Sequence, residues 1–365
     1  MSFRIYNGET NNKSTGLFLG KDSGIRDYDD LRYPIALQLN KDLFGEYWIE
    51  DEIKLAKDIE DYRNVLSKPE QYAYKMQTGA LNWLDSLATD FNFQLSSVMT
   101  DSGFRSVFAI INSFEVLHNR SYQYLTSSVL NDAEKKECFE DIKHIPEMIE
   151  RNMHIIKPIQ EMIEVLKRYN ANEYVKDEFK VTDEELMQAI FKGIVNYQVL
   201  EGLYFSGGFV FFHSLARSNK MLGSNSMISL IREDENQHSV VYGMVLQILM
   251  AEFPALNTKE NLDYAVSQFK TAVELEKKWA RHILKGIDTL SIKEYDDYIE
   301  YLANLIMRNS GMKDIYLDNT ELKSKWINTY GAKHRPKQDG IATRTDFLQR
   351  DPTEYGHDGG SDFDL

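Results

Sequence analysis

The chain has 365 residues and a net charge of −15, from 42 basic and 57 acidic side chains. That balance excludes a nucleic-acid binder, which needs a basic face to displace phosphate counterions, and argues against docking on an anionic membrane. Apolar residues make up 42%, enough for a sizeable core, and the single cysteine, Cys138, excludes an internal disulfide and a four-thiolate metal site.

In chain order, residues 1–30 are polar and loop-like, and the start Met1–Lys13 has no signal-peptide core. Helical periodicity then predicts helices over 42–64, 68–95, 102–130, 134–168, 183–215, 225–250, 258–288 and 292–310. Several starts are legible. Ser67-Lys68-Pro69-Glu70 reads as a capping box, Thr182 with Glu185 and Ser291 with Glu294 repeat it, and Asp101 or Ser102 caps another start. No alternating strands, no repeat and no linker interrupt this run, so one all-α domain of long packed helices is expected over 31–335. No apolar run reaches about 18 residues, so no membrane span is expected and the chain reads as cytoplasmic. Residues 336–365 form a flexible acidic tail. Its stretch Asp351–Leu365 holds five acidic side chains and no lysine or arginine, with Tyr355, Phe363 and Leu365 as apolar anchors. It reads either as a solubilising tail or as a docking peptide.

Two of the eight histidines follow a glutamate by three residues: Glu115-Val-Leu-His118 and Glu235-Asn-Gln-His238. Positions i and i+3 share a helix face, so each pair can point at one ion. Ordinary surface pairs would look the same, but here the same-face neighbours are apolar: Phe108, Ile111 and Tyr122 around Glu115, and Ile231 and Val241 around Glu235. A carboxylate aimed at a core is costly unless paired or metal-bound. Asp85 and Glu201 also lie in apolar segments. Inward carboxylates from two helices plus Glu-x-x-His from two others make the ligand set of ferritin-like di-metal bundles. Four carboxylates match the charge of two divalent ions, and this oxygen-rich set suits iron or manganese better than structural zinc. Tyr122 lies four residues beyond His118, on the same face, where a phenol can become a radical. Phe205, Phe209 and Ile231 can wall it from water, although core packing alone would also account for all four.

These segments resemble the small (beta) subunit of class I ribonucleotide reductase. Glu115-Val-Leu-His118-Asn-Arg120-Ser121-Tyr122 is similar to that family's Glu-x-x-His-x-x-x-Tyr element, and Asp234-Glu235-Asn-Gln-His238 to its Asp-Glu-x-x-His element. Leu84-Asp85-Ser86 and Leu200-Glu201-Gly202 match the remaining ligand segments. The resemblance implies a ferritin-like bundle with additional helices, forming a homodimer. Asp85, Glu115 and His118 would bind one iron, and Glu201, Glu235 and His238 the other, with manganese as the alternative metal. Dioxygen would oxidise Tyr122 to a stored radical. Trp48, Asp234 and Tyr355 would pass the oxidising equivalent to the large (alpha) subunit, which reduces ribonucleotides to deoxyribonucleotides and is docked by the C-terminal tail. Two departures stand out. Glu233 occupies a place where the family often has arginine. Ile111 stands near where some relatives carry an indole, so a hydrogen bond from that indole to Glu201 is missing. Another di-iron oxidase or desaturase on the same bundle, or a storage protein, shares the Glu-x-x-His pairs but not the set Trp48, Asp234 and Tyr355.

Overall fold

The computed structural model describes residues 8–331. Tyr355 and the acidic tail therefore lie outside the described residues. Extended pairing among these is an isolated antiparallel bridge between Phe18 and Met99. Residues 8–30 are irregular, as expected, yet they are tied down. The Leu17 N–H donates to Glu252 at 2.8 Å and its carbonyl accepts from Thr100 N–H at 2.8 Å.

The first expected helix is two helices. α1 (Ile35–Gly45) and α2 (Ala56–Asn64) are separated by a connector that carries Trp48 and a 3₁₀ turn over Glu50–Glu52. The break lets the Trp48 indole turn inward, where it is 1% exposed. α3 (Lys68–Ser96) starts at the expected capping box, with Glu70 N–H to Ser67 at 3.4 Å and Ser67 N–H to Glu70 at 2.8 Å. α4 (Ser102–Val129) is capped by Asp101, which accepts from Phe104 N–H at 2.9 Å. The expected helix over 134–168 is also divided. α5 (Asp132–Glu140) ends in a 3₁₀ turn over Asp141–His144, and α6 (Pro146–Asn170) restarts at Pro146, which has no N–H to donate and suits a first turn.

The stretch 183–215 is helical throughout but not uniform. α7 (Asp183–Gln198) runs into a π-helical turn, Val199–Phe205, and continues as α8 (Ser206–Arg217). Within Asp177–Arg217 an 18-residue window reaches a mean hydropathy of 1.2, more apolar than run counting suggests. All of that window is buried inside the bundle, as a core helix requires. α9 (Leu222–Glu252) begins after Met221 in a left-handed conformation, φ 52°. Its first N–H groups are capped from a distance: Asp58 accepts from Gly223 and Ser224, and Asp61 from Met221. α10 (Lys259–Ile283), α11 (Ile292–Asn309) and short α12 (Trp326–Tyr330) follow.

α3 packs along α4, α9 packs on α4, α7 and α8, and α10 joins α6 to α11. α4 shows why the bundle holds. Phe104, Val107, Phe108, Ile111 and Phe114 line one stripe, each fully buried. Burying each such side chain stabilises by about 1.5–3 kcal/mol, which offsets the cost of the charged groups inside.

Candidate metal centre

Six titratable side chains from four elements meet in the core: Asp85 (α3), Glu115 and His118 (α4), Glu201 (the π turn), and Glu235 and His238 (α9). All six are 0% exposed. Their ligand atoms form two groups, each within 4.8 Å: Asp85, Glu115, His118 and Glu235, and Glu115, Glu201, Glu235 and His238. Glu115 and Glu235 belong to both. The family resemblance implies ligands divided three and three, and the geometry makes these two carboxylates common to both halves.

The imidazoles are aimed. His118 Nε2 lies 3.1 Å from Asp234 Oδ2, and that same oxygen accepts the Trp48 indole N–H at 2.7 Å. With its Nε2 proton held there, His118 turns Nδ1 and its lone pair inward. Nδ1 approaches Glu235 at 2.8 Å and Asp85 and Glu115 at 3.6 Å each. His238 Nδ1 likewise faces Glu235 at 3.0 Å, Glu115 at 3.3 Å and Glu201 at 3.9 Å.

Most of these atoms lack hydrogen-bond partners among the described residues. Both oxygens of Asp85, both of Glu201 and Glu115 Oε2 are buried and make no well-aligned hydrogen bond. Unpaired buried charge costs several kcal/mol per ion, so a cluster of this kind demands a cation. Four carboxylates and two imidazole nitrogens fit two divalent metal ions. Without metal the cluster balances itself with protons. Burial, opposed only in part by His118, raises the Asp85 carboxyl well above its ordinary range, and burial with Glu235 and Glu115 does the same to Glu201. Burial works against charge on His118, but Glu235, Asp234 and Asp85 outweigh it and push its pKa up.

The π turn delivers Glu201. Its extra residue per turn re-aims the side chains that follow α7. Gly202 lets the turn pack closely on α11, since a Cβ there would come 2.5 Å from Ile306. Behind the turn lies a fully buried ion pair, Arg151 with Glu276. The Arg151 guanidinium donates to the Tyr204 carbonyl at 3.2 Å and stacks 3.9 Å from the Tyr204 ring centroid. Tyr295 donates to Glu276 at 2.5 Å.

Tyr122 is 0% exposed and its hydroxyl has no partner among the described residues. Burial first, then Asp85, raises its pKa well above 10. Phe205, Phe209 and Ile231 are fully buried, and the two phenylalanine rings stack at 5.9 Å and 2°. The Trp48 ring lies 6.2 Å from that of His118 at 20°.

Three further residues reach the cluster and escaped the sequence reading. Asn92 Nδ2 donates to Glu115 at 3.1 Å and to the Tyr197 hydroxyl at 3.0 Å. Tyr197 stacks on Phe91 at 4.0 Å and meets Tyr242 at 4.5 Å. Asn92 follows Asp85 by seven residues on α3, a same-face spacing that could have flagged it.

The chain was compared with known proteins. Residues 26–323 match the family model described as ribonucleotide reductase, small chain. A protein of Halalkalibacterium halodurans named ribonucleoside-diphosphate reductase subunit beta is 31% identical over 353 residues, covering 96% of this chain and 94% of the relative. A protein of the same name from Treponema pallidum is 29% identical, covering 92% and 89%. Among solved structures, a putative class I ribonucleotide reductase from Bacillus halodurans superposes with a TM-score of 0.72 at 31% identity, over 82% of this chain and all of the other. The R2 subunit from Clostridium botulinum gives 0.80 at 23% identity, over 91% and 99%, and supports the fold. The ferritin-like bundle, its buried carboxylate–imidazole cluster and these likenesses agree, and the chain belongs to the ribonucleotide reductase small-chain family.

Proposed function

We propose that this chain is the radical-generating beta subunit of a class I ribonucleoside-diphosphate reductase, a cytoplasmic oxidoreductase that supplies deoxyribonucleotides for DNA synthesis. The observation that carries the reading is a fully buried phenol, Tyr122, on the same α4 face as Glu115 and His118. Asp85, Glu115, His118, Glu201, Glu235 and His238 would hold two iron ions, which when bound supply dioxygen activation and one-electron oxidising power. The relative solved as dimanganese(II)-NrdF from Streptococcus sanguinis, 19% identical with a TM-score of 0.67, makes metal analysis part of the test.

The chain's own residues divide the remaining work. Tyr122 gives up an electron and its phenolic proton. Asp85 is the carboxylate that acts on it most strongly, and its two unpaired oxygens make it the proton acceptor. Phe205, Phe209 and Ile231 exclude water and reductants from the radical. Trp48, Asp234 and His118 form a hydrogen-bonded line from the α1–α2 connector to the cluster, suited to moving an electron while Asp234 manages the indole proton. Tyr355 would continue that line towards the large subunit, held by the acidic tail. Phe44, Tyr47, Phe93 and Val116, on or near α1, α3 and α4, are exposed apolar side chains that a second copy would cover.

The test is metal content per chain combined with electron paramagnetic resonance after aerobic loading with ferrous iron. A long-lived organic radical is expected, and Tyr122→Phe should remove it while the bound metal stays. A long-lived signal that survives this substitution rejects Tyr122. Two manganese ions and no phenoxyl signal in protein as isolated would reject the iron assignment.

A further inference from the structure

The two helices that supply the histidine ligands carry the same pattern twice. In α4 it runs Glu115-Val-Leu-His118-Asn-Arg-Ser-Tyr122, and in α9 it runs Glu235-Asn-Gln-His238-Ser-Val-Val-Tyr242. At 1.5 Å and 100° per residue, seven residues make just under two turns, about 10 Å along the axis. Each tyrosine therefore falls on the face of its own glutamate and histidine, at the same stagger. The structure extends the parallel in part: both tyrosines are 0% exposed, the Tyr122 hydroxyl has no hydrogen-bond partner among the described residues, and that of Tyr242 has no well-aligned one and lies beside Tyr197.

We propose that Tyr242 is a second oxidisable phenol of this centre, which takes up an oxidising equivalent when Tyr122 does not. The proposal rests on reading the cluster as a dioxygen-activating metal pair. With two metal ions held by the six ligands, dioxygen would be the oxidant, and Tyr242 would give up one electron as its O–H bond breaks. The proton passes to a carboxylate of the cluster as the electron leaves. What remains is a neutral phenoxyl ring.

The surroundings differ from those of a storage site. Tyr242 meets Tyr197 at 4.5 Å, Phe108 edge-on at 5.1 Å and Phe91 at 6.1 Å. Tyr197 is a second phenol in direct ring contact, and Asn92 ties its oxygen to Glu115. A radical on Tyr242 thus has a neighbour able to refill it, and it is short-lived. The pair Tyr242 and Tyr197 gives a misdirected oxidising equivalent a place to go other than the metal ligands.

The experiment uses the full chain loaded with ferrous iron, mixed with dioxygen and frozen after milliseconds to seconds, in wild type, Tyr122→Phe and Tyr122→Phe/Tyr242→Phe. The spectrum is read. Tyr122→Phe should show an early phenoxyl signal that decays within seconds. The double variant should lose the early signal. Equal early signals in the two variants, or none in either, overturn the proposal. A wild type without a long-lived signal sinks the Tyr122 reading separately, since Tyr242 is judged only by the difference between the two variants. If the double variant folds poorly, a ring-fluorinated tyrosine at position 242 preserves packing. An unchanged hyperfine pattern then overturns the assignment.

Discussion

His238 shows what the core has been made to hold. Burial works against charge on this imidazole, but Glu115 and Glu235 outweigh it and push its pKa up to about 9. A metal ion must displace that proton, so uptake should strengthen as pH rises from 7 to 9, by about ten-fold per unit for each proton released. Calorimetry in two buffers of different ionisation enthalpy checks this, and uptake without proton release would contradict it. Tyr122 gives a second expectation at this scale. Its hydroxyl is buried without a partner, and such a group costs about 1–3 kcal/mol. Tyr122→Phe should therefore leave the metal-free protein as stable as wild type or somewhat more so in urea unfolding, and a marked loss would reveal a partner. Four of the six candidate ligands were legible because Glu-x-x-His on an apolar helix face has few inexpensive explanations, and Asp85 and Glu201 because they lie in apolar segments. Tyr197 was not, because its stacking on Phe91 depends on how α3 and α7 approach. Tyr242 was legible in principle, by the spacing it shares with Tyr122.

The π turn is the element whose sequence says least about it. Helical periodicity over 183–215 reads as one unbroken helix, since an extra residue within one turn hardly alters a pattern of continuous apolar residues. What stabilises the wide turn is tertiary: Arg151 satisfies the Tyr204 carbonyl, and Glu276 neutralises Arg151. Arg151→Met should cost about 3–5 kcal/mol, because Glu276 is left as an unpaired buried charge. Replacing both, as Arg151→Met/Glu276→Leu, should recover much of that loss. Urea midpoints of the three proteins decide it, and equal losses in the single and double variants would reject the pairing. The break between α1 and α2 was missed for a similar reason. No local signal reports that Trp48 has a hydrogen bond waiting on α9.

For the whole molecule, acid is the informative stress. His213 is fully buried, and burial followed by Arg232 pushes its pKa down to about 3. The unfolded chain takes up that proton near pH 6.5, so the contribution to stability is complete above 6.5 and is lost as pH falls towards 3. Between pH 7 and pH 5 this residue alone should cost about 2 kcal/mol. His213→Gln should flatten the pH profile of unfolding over that window, and an unchanged slope would place the proton uptake elsewhere. Removing residues 346–365 tests the other end of the chain. Fold, metal content and any radical should persist, while activity with the large subunit is lost; full activity would reject the docking role. The bundle architecture was legible from helix length, caps and the scarcity of proline and glycine. Which helices pair was not, because that is set by contacts between residues far apart in sequence.

One oxygen atom, Asp234 Oδ2, receives both the Trp48 indole and the His118 imidazole. The proposed outlet for the electron and the orientation of a candidate ligand thus hang from a single hook. A substitution at Trp48 or Asp234 therefore also disturbs the group that holds His118 in place.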